Sequence, residues 1–148
     1  SYVFSAAMPV MLANGSTVAM KLLDANPGIY DKLHENVSIL RKALDPITSI
    51  MIPSAPESPL VHVQIKSKQN DMDASAQKEL LTKIERLALN QGVWIAKTPH
   101  LPSIRPQLDQ GPWARPSLRI AVTSALSVGE MAQAADIVRA SIVSVVGP

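Results

Sequence analysis

The chain has 148 residues, which is enough for one domain with a substantial core; 47% of them are hydrophobic but only 3% are aromatic, so aliphatic side chains must build that core. The absence of cysteine excludes disulfides, thiolate metal sites and cysteine nucleophiles. The formal net charge of +2 is spread over interspersed basic and acidic residues, a pattern that argues against nucleic acid as a partner. No apolar run approaches the roughly 20 residues that a membrane-spanning helix needs.

The first third of the chain predicts two helices. Pro9 suits the first turn of a helix, because its missing N–H costs nothing there, and this helix is expected to run to about Ala25. Asn26-Pro27 predicts the start of a second helix, with Asn26 as its N-cap. Asp45-Pro46 ends that helix, because the residue before a proline is pushed out of the helical region. Its apolar stripe consists of Ile29, Leu33, Val37, Leu40 and Leu44.

The middle of the chain predicts two strands and a third helix. Ile47–Ile52 is the first predicted strand, and Leu60–Ile65 is the second. The second strand alternates, which places its valines on one face and His62 on the other. The third helix ends at Gly92, which is expected to adopt the left-handed conformation of a helix C-cap. The apolar side of this helix is predicted to consist of Leu80, Ile84, Leu87 and Ala88.

The last third predicts two more strands and a closing helix. Val93–Ala96 is a short predicted strand, and Ser117–Thr123 has the clearest alternation in the chain. Between them, Thr98–Pro116 is rich in proline and too long for an idle connection, so it is either a functional loop or a surface excursion. Ser127–Glu130 has the pattern of a capping box and opens the final helix. The predicted buried side of that helix consists of Val128, Met131, Ala135, Val138, Ile142 and Val145.

This order of elements predicts the α+β class, with helices packed on one face of a mixed or antiparallel sheet. The chain shows neither an internal repeat nor a second domain boundary. The three histidines lack the spacing of metal ligands, and no metal site is expected. The sequence also contains no glycine-rich phosphate loop and no nucleophile elbow.

Arg119 is the residue most able to bind a ligand. It lies in the middle of the Ser117–Thr123 strand and points away from the apolar side of that strand. A guanidinium in this position can hold a carboxylate with two parallel hydrogen bonds. The alternative is a surface arginine on a solvated face, and the strand pattern alone leaves both interpretations open.

Two stretches resemble the α-oxoamine synthases, a family of pyridoxal-phosphate enzymes. Ser1–Pro9 is similar to the family's FS-small-small-x-P bend, and Arg115–Thr123 is similar to its strand with the sequence LRI. Within the family, three segments most resemble the non-catalytic long-chain-base subunits of serine palmitoyltransferases, in their fungal form. These segments are Tyr2–Pro9, Asp24–Tyr30 and Ser54–Pro59.

The resemblance implies a fold and a domain organisation. The fold would be the C-terminal small domain of a fold-type I pyridoxal-phosphate-dependent transferase. Residues 1–148 would form one C-terminal domain of a larger subunit, with a bend and connecting helix at 1–25 and the small domain at 26–148. The chain begins within the bend, so the parts that perform most of the chemistry are expected to precede it, and this domain alone is expected to be inactive.

The resemblance also implies a function. Serine palmitoyltransferase condenses L-serine with palmitoyl-CoA to give 3-ketodihydrosphingosine, the first step of sphingolipid synthesis. This subunit would complete and stabilise the active site of a heterodimer with the catalytic long-chain-base subunit, whose lysine would hold the pyridoxal phosphate. The full-length subunit would lie at the endoplasmic reticulum membrane, anchored through a segment that this sequence does not include.

Two residues receive roles from the resemblance. Arg119 would bind the carboxylate of the amino-acid substrate, and Ser5 would contact the cofactor phosphate across the subunit interface. Without the resemblance, Ser5 is equally well explained as a helix cap or a turn residue. None of the eight lysines lies in the strand-to-loop context in which the family keeps its cofactor lysine.

Two other functions remain open from the sequence. The chain could be the same domain of a catalytic homodimeric α-oxoamine synthase, of the 8-amino-7-oxononanoate or 5-aminolevulinate synthase type. It could also be a non-enzymatic α+β interaction module that folds alone. A cofactor lysine upstream of Ser1 would favour the first, and a stable monomer without an exposed apolar interface would favour the second.

Overall fold

The computed structural model describes residues 9–66, 74–98 and 115–148. Within these ranges the chain forms helices and strands in an irregular alternation. They are α1 (Val10–Ala25), α2 (Gly28–Leu44), β1 (Ile50–Met51), β2 (Leu60–Ile65), α3 (Ala74–Asn90), β3 (Ala96–Thr98), β4 (Ser117–Ala121) and α4 (Val128–Val146).

The four strands form one sheet in the order β1-β2-β4-β3, and every neighbouring pair is antiparallel. Strands β2 and β4 are therefore central. Helices α2 and α3 each pack against α4, and the three helices cover one face of this sheet. This arrangement confirms the predicted α+β class with helices on one face of an antiparallel sheet.

The core lies between the sheet and these three helices, and it is almost wholly aliphatic. Val61, Val63 and Ile65 of β2 point into it, as their alternation predicts, and each is at most 4% exposed. Leu118 and Ile120 of β4 lie beside them on the same face. The helices contribute Leu40, Leu44, Leu81, Ile84, Ala88, Met131, Ala135, Val138 and Ile142.

Two predicted helix ends are confirmed in atomic detail. Gly92 has φ +86°, and its N–H donates to the Leu89 carbonyl at 2.9 Å while the Val93 N–H donates to the Ala88 carbonyl at 2.9 Å. These two bonds form a Schellman motif. At the start of α4, the Glu130 N–H donates to Ser127 Oγ and the Ser127 N–H donates to Glu130 Oε2, at 3.3 and 2.8 Å. Together these bonds form the predicted capping box.

Asn26 is not the N-cap of α2. Its side-chain Nδ2 donates to the Leu22 carbonyl at 2.8 Å, so it completes the end of α1 instead. Pro27 occupies the N-cap position of α2, without a side-chain hydrogen bond. The prediction located the helix correctly but assigned Asn26 to the wrong one, because an asparagine between two helices can serve either.

Three predicted strands were misplaced or too long; the one predicted at Ser117–Thr123 ends at Ala121. The strand predicted at Ile47–Ile52 is only Ile50–Met51, because the Ile47 N–H donates back to the Leu44 carbonyl and continues the turn that ends α2. The strand predicted at Val93–Ala96 is Ala96–Thr98. The N–H of Val93 is occupied by the Schellman motif, so pairing with β4 begins only at Ala96.

Some helix faces also differ from the prediction. In α3, Leu81 is 1% exposed, whereas the predicted core residue Leu87 is 38% exposed. In α4, Val128 is 45% exposed, whereas Ser141 is 2% exposed and donates its hydroxyl to the Ile137 carbonyl. That internal hydrogen bond lets a serine lie on the buried side of the helix.

Helix α1 has the predicted bounds but no buried residue. Its apolar side chains instead point outward, and six of them are at least 56% exposed. These six are Val10, Met11, Leu12, Val18, Met20 and Leu22. The described part of the chain therefore provides no cover for this helix.

Candidate functional site

The candidate site lies on the open face of the sheet, which we define as the face opposite α2, α3 and α4. His62 of β2 and Arg119 of β4 are direct register partners there. Ala96 of β3 pairs with Arg119 on its other side. Since β2 and β4 are the central strands, the backbone fixes His62 and Arg119 side by side in the middle of this face.

The Arg119 side chain carries an accessible positive charge. The residue is exposed, and its neighbour Ala96 in the sheet has only a methyl group as its side chain. Within the described ranges, the ion pairs are Arg41–Asp45 and Lys97–Glu85, and neither involves Arg119. A planar guanidinium without a carboxylate partner is suited to bind an anion in two-pronged geometry.

His62 is half-buried and held on two sides. Its ring Nδ1 lies 3.0 Å from Ser117 Oγ, and its backbone N–H donates to Ser54 Oγ at 2.8 Å. Both serines are themselves buried, at 3% and 8% exposure. Burial lowers the pKa of His62 below its ordinary value, and the positive charge of Arg119 lowers it further. Both effects favour the neutral imidazole, and His62 lies close enough to Arg119 for the guanidinium charge to act on it.

Two serines in the turn before β2, Ser54 and Ser58, form hydrogen bonds that fix the position of His62. Ser58 Oγ accepts the Leu60 N–H at 3.2 Å and donates to the Leu60 carbonyl at 3.0 Å, which fixes the entry into the strand. Ser54 then reaches across the turn to the backbone of His62. The serine and proline residues of this turn therefore position the strand that carries the site.

The predicted orientation of Arg119 is confirmed: its side chain lies on the face opposite Leu118 and Ile120. Its role toward a ligand stays a prediction. Ser5 and His100 lie outside the described residues. His62 was not singled out from the sequence as a functional residue; the alternation of β2 gave its face, but only the pairing register places it beside Arg119.

A cavity of about 390 Å³ lies elsewhere, between α4, the end of β4 and the segment that precedes β3. Its walls are mainly apolar, with the exposed Trp94 at the rim. The carboxylate among its lining residues, Glu130, is occupied by the capping box with Ser127. We therefore place the candidate site at Arg119, where an accessible charge exists, and not in this cavity.

The described residues do not fit a covalent anchor for pyridoxal phosphate. Lys97 is partly buried, but it lies on the helix-covered face of the sheet. Its Nζ is already paired there, at 2.9 Å from Glu85 Oε2 and 3.0 Å from Thr82 Oγ1. The other described lysines, at positions 21, 32, 42, 66, 78 and 83, are exposed. In the same part of the chain, no three histidine or acidic side chains cluster as metal ligands would. None of the described helices is long and apolar enough to cross a membrane.

Comparison with known proteins gives relatives in one group. No family model matches the chain. Serine palmitoyltransferase 1 of Dictyostelium discoideum is 31% identical over 93% of this chain and 29% of its own length. Long chain base biosynthesis protein 1c of Oryza sativa subsp. japonica is 36% identical over 66% of this chain and 20% of its own length. Long chain base biosynthesis protein 1 of Arabidopsis thaliana is 36% identical over 59% of this chain and 17% of its own length.

Solved structures share the fold at lower sequence identity. The glutamate decarboxylase of Lactobacillus brevis matches 80% of this chain and 24% of its own, with a TM-score of 0.56 and 17% identity. A transaminase from work on ancestral reconstruction matches 90% of this chain and 26% of its own, with a TM-score of 0.57 and 17% identity. The aminotransferase TlmJ of Streptoalloteichus hindustanus matches 82% of this chain and 34% of its own, with a TM-score of 0.52 and 16% identity.

These likenesses give the fold first: it is a fold also found in parts of a glutamate decarboxylase and of aminotransferases, in agreement with the predicted fold. The sequence relatives give a more specific assignment than the solved structures do. In sequence, the chain is similar to serine palmitoyltransferase 1 over most of its length and to the two long chain base biosynthesis proteins over about two thirds of it. It spans less than a third of the length of the curated relatives it matches.

Proposed function

We propose that the chain is the C-terminal domain of a non-catalytic long-chain-base subunit of serine palmitoyltransferase. The observation that carries this proposal is the 31% identity to a serine palmitoyltransferase 1 over 93% of the chain. The relatives' names are consistent with a subunit of sphingolipid synthesis. They give no support to the two alternatives, a homodimeric synthase of another class and a non-enzymatic module.

The proposed reaction joins the palmitoyl group of palmitoyl-CoA to L-serine, releases carbon dioxide and free coenzyme A, and gives 3-ketodihydrosphingosine. In this scheme the subunit pairs with the catalytic long-chain-base subunit and completes its active site at the interface. The exposed apolar surface of α1 supports a domain that is covered by other parts of a larger assembly. At the endoplasmic reticulum membrane, the full-length subunit would be held by a segment outside the present sequence.

Arg119 is the residue that we assign to the substrate. Its guanidinium lies on the open sheet face without a carboxylate partner among the described residues, and the carboxylate of L-serine is the anion that the reaction brings. A bidentate pair with that carboxylate would fix the orientation of the amino acid. An aliphatic or lysine side chain at this position could not reproduce the planar fork.

Pyridoxal phosphate is the proposed cofactor, held by a lysine of the catalytic subunit. When bound, it acts as an electron sink for the bond that breaks at the α-carbon of the amino acid. The residues described here fit a role toward the substrate and not a covalent role toward the cofactor. Ser5 is proposed to donate a hydrogen bond to the cofactor phosphate across the interface.

The test uses the full-length subunit co-expressed with its catalytic partner. We expect Arg119→Ala to leave the heterodimer assembled but to raise KM for L-serine by tenfold or more, the loss typical of a charged hydrogen-bond pair worth about 1.5–3 kcal/mol. Arg119→Lys should recover only part of the affinity. Arg139→Ala, at an exposed position of α4, is the matched control and should behave as the wild type. An assembled Arg119→Ala enzyme with unchanged KM for L-serine would remove Arg119 from the substrate site.

A further inference from the structure

We infer that His62 is a second ligand for the anion that Arg119 binds, so that the open face holds a carboxylate in a histidine–arginine pair whose affinity rises on acidification. This inference rests on the proposed function, since it takes L-serine as the source of the carboxylate. It adds a binding residue and a pH dependence that the proposed role of Arg119 does not require.

The first support is the position of the two side chains. His62 and Arg119 are direct partners in the antiparallel β2–β4 pair, and they point to the same face. Side chains in such a pair have Cβ atoms about 4.5–5.5 Å apart, which is within reach of a single carboxylate bridging them. Both belong to central strands, so the hydrogen-bonded backbones of β2 and β4 fix the two residues relative to each other.

The second support is the way the imidazole is held. Ser117, two residues before Arg119 on β4, lies 3.0 Å from His62 Nδ1 through its hydroxyl oxygen. That serine is 3% exposed, and the backbone of His62 is fixed by Ser54, which is 8% exposed. A histidine on a solvated surface needs no such supports. A ring with restricted orientation beside an accessible guanidinium is what a preorganised anion site requires.

The third support is electrostatic. Among the described residues, Ser117 and Arg119 of β4 and Ser54 of the turn before β2 lie next to His62, and the positive charge of Arg119 acts on its imidazole. Without an anion, the positive guanidinium opposes protonation of His62. A carboxylate between the two groups reverses that effect, because its negative charge stabilises the imidazolium.

The sign of the pH dependence follows from linkage. Ligand binding that raises the proton affinity of His62 takes up a proton, so affinity for the carboxylate increases as pH falls. For one coupled proton the change is up to about tenfold in Kd per pH unit, over the interval between the pKa values of the empty and occupied sites. Above that interval Arg119 alone holds the ligand.

The experiment measures binding of L-serine to the full-length heterodimer loaded with pyridoxal phosphate, from about pH 5.5 to about pH 8. Ethanolamine, which has the amine and hydroxyl of serine but no carboxylate, is the reference ligand at each pH. We expect the ratio of the ethanolamine Kd to the serine Kd to rise on acidification in the wild type. The ratio should become flat in His62→Gln, which retains hydrogen bonding but cannot carry the charge. His34→Gln, at an exposed position of α2, should retain the wild-type slope.

Calorimetry on the wild-type heterodimer provides a second test that needs no variant. In buffers of different ionisation enthalpy near pH 6.5, binding of L-serine should take up a larger fraction of a proton than binding of ethanolamine. An equal proton uptake for the two ligands would overturn the inference, as would a His62→Gln complex with an unchanged slope.

Failure of this inference is distinguishable from failure of the proposed function. If Arg119→Ala weakens serine binding while His62→Gln leaves the slope intact, Arg119 keeps its role and His62 loses its own. If Arg119→Ala has no effect on serine affinity, the assignment of this face to the substrate is wrong and the His62 inference is overturned with it. A change confined to affinity for pyridoxal phosphate would also overturn it, since the anion would then be a phosphate.

Discussion

Asn36 on α2 donates a hydrogen bond from Nδ2 to the carbonyl of Thr123, 87 residues further along the chain, at 2.9 Å. The same nitrogen donates to the Leu126 carbonyl at 3.1 Å. Asn36 has no exposed surface, and the segment that it holds joins β4 to α4. One amide therefore ties the strand that carries Arg119 to the helical layer.

Replacement of this asparagine should destabilise the domain. In Asn36→Ala, the carbonyls of Thr123 and Leu126 lose the donor of two part-buried hydrogen bonds, and we expect the free energy of unfolding to fall by about 1–3 kcal/mol. Chemical denaturation of the protein measures the loss. Gln133→Ala, at an exposed position of α4, is the control and should change stability by less than about 0.5 kcal/mol. Equal stabilities of the two variants would contradict the role assigned to Asn36.

Gly92 and Gly129 form a matched pair for testing backbone conformation. A Cβ at either position would meet no atom within 4 Å, so a steric clash with neighbours is not the issue. Gly92 has φ +86°, where an alanine costs about 1–2 kcal/mol. Gly129 lies within α4, where alanine is the better helix former by up to about 1 kcal/mol.

We expect Gly92→Ala to lower the midpoint of thermal unfolding and Gly129→Ala to leave it unchanged or raise it. Both variants add one methyl group, so an effect of the methyl group itself would be the same in the two proteins. A decrease of the same size in both would mean that the left-handed conformation at Gly92 contributes nothing specific.

The capping box predicts a pH dependence of stability. Hydrogen bonds from the Ser127 side chain and backbone lower the pKa of Glu130 below its ordinary value. A carboxyl group with a lowered pKa in the folded state stabilises that state above its ordinary pKa, and the contribution is lost as pH falls through the folded value. Ser127→Ala should therefore destabilise the protein at neutral pH, and the difference from wild type should shrink in acid. Denaturation curves at several pH values between about 3 and 7 measure this difference, and a constant difference over that range would contradict it.

The sequence predicted most elements because their signals are local. Gly92 and the Ser127–Glu130 box act within one helical turn, and the alternation of β2 and β4 depends only on neighbouring residues. Asn26 shows the limit of such signals. Its side chain can end one helix or begin the next, and the choice depends on how the two helices meet.

The rest depended on contacts between distant segments. Leu81 is buried in place of Leu87 because the position of α4 sets which side of α3 is covered. The pairing of His62 with Arg119 is set by the register of two strands separated by α3 and a long connection. A single sequence contains no signal for that register, so the site could be predicted only as one isolated arginine.

Helix α1 has a consequence for how the protein folds. A helix of 16 residues with no buried side chain, and with Gly15 in its interior, has little stability of its own in water. Its order must then be acquired late, when another surface removes Met11, Val18 and their neighbours from solvent. Its amide hydrogens should exchange rapidly in the separated domain and slowly in the full assembly, so that α1 reports on assembly while β2 and β4 report on the domain.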